Sequence, residues 1–291
     1  NKWKYIMILP VLIYLFLFCY KPMYGLVIAF KDYKITRGID GSNWSDPWYK
    51  WFLNFFTDPY FGRLLKNTFM ISGLTILFGF PAPIILALMI NEVKNSAFKR
   101  TVQTITYMPY FISMVVLCGL LKTFCMQDGL FAQIAVLFGG KAQNYLANPS
   151  YFRTIYVLSD IWSGIGWNSI IYLAALSSID QEQYEAARID GASEAKTFID
   201  IVLPMVKPGI GALAIFTFIN SWNDYFMQLI MLSSTSNLTI SLGIAKLQAE
   251  NSTDFGLIMA GAALAAVPII IIFLIFQKYF TKGIAMGAVK G

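Results

Sequence analysis

Histidine is missing from all 291 residues. That absence removes the commonest metal ligand and the commonest general base near neutral pH. Charged residues are scarce, at 13% against 57% hydrophobic and 16% aromatic, a balance that excludes an ordinary soluble domain. Cysteine is limited to Cys19, Cys118 and Cys125, an odd set lying in or beside apolar runs. These read as small hydrophobes, not as a disulfide framework or a thiolate metal site. No phosphate loop of the form GxxxxGK[ST] occurs, and no carboxylate pair or nucleophile stands with a plausible base. No cofactor, no metal and no enzymatic activity are therefore expected of this chain. The net charge of +6 comes without a basic run interleaved with aromatics, so nucleic acid is not an expected partner. The charge suits tails and loops that face anionic lipid headgroups.

What the sequence has in abundance is apolar runs long enough to cross a bilayer, for which about twenty residues suffice. Six are expected, over residues 5–30, 67–91, 104–124, 151–177, 209–232 and 255–280. The fold class is accordingly all-α and integral to the membrane. The first run lacks a small-residue cleavage site and reads as a retained span. Residues 31–66 are polar and irregular, and Trp44, Trp48 and Trp51 read as interfacial anchors. Pro81 and Pro83 predict a kink in the second span. Residues 125–150 form a loop whose apolar piece, 130–138, is too short to cross. Neither an internal repeat nor a linker is visible, so 1–291 reads as a single membrane domain with its core spans at about 67–280. Lys and Arg are denser in the tails, in 92–100 and in 178–207 than in the opposite loops, which puts both termini in the cytoplasm.

Between the fourth and fifth apolar runs lies a polar stretch with helical rhythm. Asp180 can cap a helix, with Gln183 at the position that reaches back. Glu182 and Glu185 fall in or near the first turn, where the helix dipole favours carboxylates. Gly191 is suited to a left-handed stop, and Ser193 can start a second helix that runs to Pro204. The expectation is a helix–turn–helix over about 178–207.

Glu185-Ala186-Ala187, Gly191, Ile201 and Leu203-Pro204, at those spacings, resemble the EAA loop of the permease subunits of bacterial ABC importers. Asp190, Ala192 and Phe198 also stand where the carbohydrate branch has them. The resemblance extends over nearly the whole chain. It implies the six-span type I permease fold of a sugar or oligosaccharide importer in the bacterial cytoplasmic (inner) membrane, working by alternating access. It implies that Glu185, Ala186, Ala187, Asp190, Gly191, Phe198, Ile201, Leu203 and Pro204 couple the chain to a cytoplasmic ABC ATPase. A second permease subunit, as hetero- or homodimer, and an extracytoplasmic solute-binding protein are the further partners implied. The closing Gly287-Ala288-Val289-Lys290-Gly291 resembles the second permease type of a maltose-like pair. The opening Tyr20-Lys21-Pro22-Met23-Tyr24-Gly25 resembles the first type of oligosaccharide importers, so the position in the pair stays open.

Polar residues inside spans are costly and carry information. On the fifth run Thr217, Asn220, Asp224 and Gln228 recur at intervals of three and four, with Trp222, Asn223 and Tyr225 beside them. On the fourth, Asp160, Ser163, Gly164, Trp167 and Asn168 make a similar stripe. Aromatic rings beside amides and carboxylates suit sugars, which offer hydroxyls at the edge and C–H groups on the face. Trp167, Asn168, Asn220, Asn223, Asp224 and Tyr225 are the expected substrate-pathway residues; hydrogen bonding between helices is the competing explanation for each. The rival function is an ion-coupled secondary carrier that uses Asp160 and Asp224 as proton sites.

Overall fold

Three prolines inside apolar stretches are met by the backbone in one way. The computed structural model describes residues 2–177, 189, 191–232, 235–250 and 254–288. In it a π turn ends two residues before each of Pro22, Pro81 and Pro204. The turns are Leu15–Tyr20, Thr75–Gly79 and Phe198–Val202. Each closes with an amide reaching back five residues: Lys21 to Phe16, Phe80 to Thr75 and Leu203 to Phe198. A proline has no N–H, and its ring crowds the preceding turn. The wider π turn takes up that crowding without breaking the helix. Pro10 and Pro268 lie within helices that carry no such turn.

The main elements are α1 (Lys2–Tyr14), α2 (Lys50–Thr57), α3 (Phe61–Leu74), α4 (Pro81–Glu92), α5 (Ser96–Tyr107), α6 (Met114–Cys125) and α7 (Leu130–Leu137). They continue with α8 (Pro149–Ser177), α9 (Glu194–Thr197), α10 (Leu203–Asn223), α11 (Phe226–Met231), α12 (Ile240–Glu250) and α13 (Phe255–Ala288). Among the described residues no strand forms beyond one isolated bridge between Lys31 and Trp44, so the all-α expectation holds. Four stretches among them are long and apolar enough to cross a membrane: Lys2–Phe30, Phe61–Glu92, Met114–Leu137 and Phe255–Lys278.

Several boundaries differ from expectation. The sequence predicts the third span over 104–124, after a basic loop. A helix instead begins at Ser96, where the Asn95 side chain accepts from the Phe98 N–H at 3.1 Å. It gives way at Met108–Phe111 to a 3-10 turn carrying Pro109, and α6 restarts behind a Ser113 cap. The apolar piece within 125–150 is the helix α7, packed through the buried Ala132. The second helix of the coupling stretch does not end at Pro204. It runs from Glu194 through the π turn into α10, because that turn prepares the chain for the proline.

The chain divides into two compact units, residues 1–65 with 239–268 and residues 66–238 with 269–291. In the first, the segment after α1 is tightly folded. Lys31 is buried, and its ammonium donates to the Ile39 carbonyl at 2.7 Å. Asp32 pairs with Lys50 at 3.0 Å, and the Trp51 indole donates to the Lys31 carbonyl at 3.0 Å. Trp44 and Trp48 are exposed, as anchors at an interface would be, whereas Trp51 is packed. A Cβ at Gly256 would meet the Trp51 ring at 2.5 Å, and one at Gly261 the Phe55 ring at 2.6 Å. Glycine on α13 is what admits those rings.

In the second unit the core joins Ile71, Leu117, Cys118, Leu121, Cys125, Phe152, Tyr156, Val157, Met227 and Met231. Cys118 and Cys125 are free and buried, in keeping with the apolar role read from the sequence. A polar clasp ties the segment before α12 to α8. The Asn67 amide donates to Ser236 at 2.9 Å and Leu238 at 3.0 Å and accepts from Arg153 at 2.7 Å.

Candidate functional site

A cavity of about 370 Å³ lies in the second unit, walled by the π turn Thr75–Gly79, by α8 and by α10. That volume lies at the lower end of the range for small-molecule pockets. From α8 come Tyr156, Asp160, Gly164, Asn168 and Tyr172, spaced four residues apart along a ridge of the helix. From α10 and the residue beyond it come Thr217, Asn220, Ser221 and Asp224. Thr75, Phe80, Phe216 and Met227 add to the wall.

The α8 wall holds its angle through two contacts away from the cavity. A Cβ at Gly166 would overlap the backbone carbonyl of Thr106, so α8 and α5 touch backbone to backbone only because residue 166 is glycine. Trp167 stacks on Tyr110 with ring centroids 4.7 Å apart and planes 5° from parallel, with Phe111 edge-on at 5.6 Å. Trp167 therefore fastens α8 to the 3-10 turn and does not line the cavity, contrary to the pathway expectation for it.

Asp224 stands where α10 has ended and α11 has not begun. Its carboxylate accepts from the Tyr156 hydroxyl and faces the backbone N–H groups of Tyr225, Phe226 and Met227, the free donors at the start of a helix. Gln228, 1% exposed, reaches the same tyrosine. The even spacing of Thr217, Asn220, Asp224 and Gln228 thus does not describe one helix: the chain leaves α-geometry at 224–225. Gln228 is turned into the core, while Thr217, Asn220 and Asp224 face the cavity. Trp222 is buried against Phe69 at 4.8 Å and Phe218 at 5.4 Å, and its role is packing. Asn223 and Tyr225 are exposed and off the cavity wall.

Of the expected pathway residues, the structure brings together Asn168, Asn220 and Asp224, and leaves Trp167, Asn223 and Tyr225 outside. Thr75, Tyr156 and Tyr172 were missed. The two tyrosines continue the four-residue spacing of Asp160, Gly164 and Asn168 in both directions, a signal the sequence contains. Thr75 has no such signal, since it reaches the site from a π turn.

Of the coupling residues, Glu185, Ala186, Ala187 and Asp190 lie outside the described residues. Gly191 has φ of 74°, the left-handed conformation expected of it. The Ser193 hydroxyl accepts from the Lys196 N–H at 3.3 Å, a helix cap. Phe198 and Ile201 belong to the π turn before Pro204, and Leu203 and Pro204 open α10.

Residues 79–286 match the family described as the binding-protein-dependent transport system inner membrane component. This chain belongs to that family. It is similar to the polygalacturonan/rhamnogalacturonan transport system permease protein YteP of Bacillus subtilis (strain 168), 39% identical over 92% of this chain and 86% of that protein. Protein LplB of the same organism is 38% identical over 83% of this chain and 76% of its own length. Among solved structures, a chain of a bacterial alginate ABC transporter in complex with an alginate pentasaccharide-bound periplasmic protein superposes with a TM-score of 0.82. It is 36% identical, and the match covers 93% of this chain and 91% of that one. The protein is a membrane-embedded permease subunit of an ABC importer, a transport component, and the permease fold read from the sequence stands. Ion-coupled carriage by Asp160 and Asp224 loses its ground, since the chain belongs to a binding-protein-dependent importer family and Asp224 is engaged by Tyr156 and the start of a helix.

Proposed function

We propose that this permease forms one half of the path by which a saccharide crosses the bacterial cytoplasmic membrane, with the cavity between α8 and α10 as part of that path. One observation carries the reading: hydroxyl, amide and carboxylate groups converge among helices whose other faces are apolar, in a chain of a binding-protein-dependent importer family. Polar groups in hydrocarbon are retained where they line water or a solute. The names of its relatives, with polygalacturonan, rhamnogalacturonan and alginate, point to oligosaccharides as the cargo class. In this reading the chain crosses six times, with α8 as the fourth crossing and α10–α11 as the fifth, and both termini are cytoplasmic.

The work comes from outside the chain. A solute-binding protein delivers the saccharide, two ATPase subunits close on nucleotide, and the permease pair switches the cavity from one side to the other. The coupling element is the stretch around Glu185, Ala186, Ala187, Asp190 and Gly191, leading through Phe198, Ile201, Leu203 and Pro204 into α10. Alanines allow close approach to a partner groove, Glu185 offers a carboxylate to basic groups, and Gly191 sets the turn. Because α9 runs through the π turn into α10, a push on the coupling stretch is delivered along a continuous helix toward Asn220. ATP-driven uptake in proteoliposomes tests this. Gly191→Pro, whose ring forbids positive φ, and Ala187→Trp are expected to abolish uptake while leaving basal ATP hydrolysis. Wild-type uptake in both variants would remove the coupling role.

A further inference from the structure

Two polar groups of the cavity find no partner among the described residues. Thr75 is 4% exposed, yet its hydroxyl is buried with no hydrogen-bond partner. Threonines in helices ordinarily donate to the carbonyl four residues back. Thr101, Thr104, Thr106, Thr123, Thr197 and Thr217 all do so here. Thr75 does not. The second group is Asp160. Tyr156 and the helix-start amides engage Asp224, but among the described residues no donor reaches the Asp160 carboxylate, and the charged group that acts on it is Asp224 itself. Gly79 lies between the two groups: a Cβ there would sit 3.3 Å from the Thr75 methyl and 4.0 Å from Asp160 Oδ2. Neither lysine nor arginine lines the cavity.

We propose that Asp160, with Thr75, is the point at which this cavity grips the hydroxyl edge of a saccharide and turns away its carboxylates. A half-buried carboxylate that faces a cavity and lacks protein donors accepts them from a ligand, and charge-assisted hydrogen bonds of this kind are among the strong ones. Sugar hydroxyls supply such donors, and the Thr75 hydroxyl can donate to or accept from the adjacent one. A uronate brings a further carboxylate to a wall that already carries two carboxyl groups and no cation. The inference rests on the pathway reading above and adds to it a chemical selectivity for this chain's side of the path. A cargo with carboxylates would travel with them turned from this wall.

The test uses the assembled importer with Leu213→Cys, on the cavity wall, as reporter and Cys19→Ala to silence the exposed native thiol. Labelling by a water-soluble maleimide is followed in the presence of maltotriose or trigalacturonate. Maltotriose is expected to slow labelling, and trigalacturonate to do so only at far higher concentration. Asp160→Asn, the same shape without the charge, should raise the maltotriose concentration needed by about tenfold and lower that of trigalacturonate. Thr75→Val should weaken maltotriose protection severalfold with no fall in Tm, since its hydroxyl supports nothing in the fold. Equal protection by both sugars, protection by neither, or an Asp160→Asn assembly that behaves as wild type would overturn the proposal. A fall in Tm for Thr75→Val with protection intact would do the same. Those results leave the permease reading standing when sugar-loaded binding protein still stimulates ATP hydrolysis; loss of that stimulation in the wild type would remove both.

Discussion

Helices α8 and α13 are both long enough to cross a bilayer, at 29 and 34 residues, and they could hardly differ more in surface. Along α13 the residues Ile270, Ile271, Leu274 and Ile275 are at least half exposed, an apolar face with nothing polar to shelter. Along α8 the buried side includes Phe152, Tyr156, Val157, Ser159 and Ser169, and the cavity side carries Asp160 and Asn168. Apolarity singles out α13 and passes over α8. The difference teaches that hydropathy reports which faces meet an apolar solvent. A helix that lines a polar cavity meets protein and water on that side, and it is free to be polar there.

The comparison is broken most forcefully at Gly166. Gly166→Leu drives a side chain into the Thr106 backbone and should cost about 3 kcal/mol or more, seen as loss of folded protein after detergent extraction. Ile271→Ala on α13 should leave yield and Tm nearly unchanged, because lipid is as apolar as the side chain it replaces. Of comparable size is Trp222→Ala, which empties the site between Phe69 and Phe218 and should cost about 3–5 kcal/mol, read as a drop in Tm. Asp224→Ala, stripping the start of α11 of its acceptor and leaving the Tyr156 hydroxyl unsatisfied, should cost about 1–3 kcal/mol. Asp224→Asn should recover part of that. The smallest effect sharpens the contrast without touching stability: Asn220→Cys in the cavity should react with a water-soluble maleimide at least severalfold faster than Ile271→Cys. Equal rates would erase the distinction between a wet wall and an apolar one.

The path from residues to site was legible where a repeat of three or four survived folding, and illegible where the backbone broke it. Asn168, Asn220 and Asp224 could be named in advance because helical spacing gathers them on cavity-facing walls. Gln228 was grouped with them by the same rule and is instead buried, because the chain leaves the helix at Asp224. Trp167, chosen for its ring, is held by Tyr110, a partner more than fifty positions away that spacing along one helix cannot reveal. The coupling stretch fared in the same way. The left-handed Gly191 and the Ser193 cap are local events and were foreseeable, whereas the continuation through Pro204 depends on a π turn that no local preference announces.

By itself the sequence determined the membrane setting and the all-α class, because composition and long apolar runs are properties of the chain that no arrangement can alter, and the transport role followed from the resemblance carried by Glu185-Ala186-Ala187, Gly191, Ile201 and Leu203-Pro204. Only the tertiary structure decided which polar residues share a space: Thr75 comes from a π turn, Asp160 from α8 and Asp224 from a break after α10. Their meeting is set by backbone-to-backbone contact at Gly166 and by the wide turns before proline, which are features of packing in three dimensions.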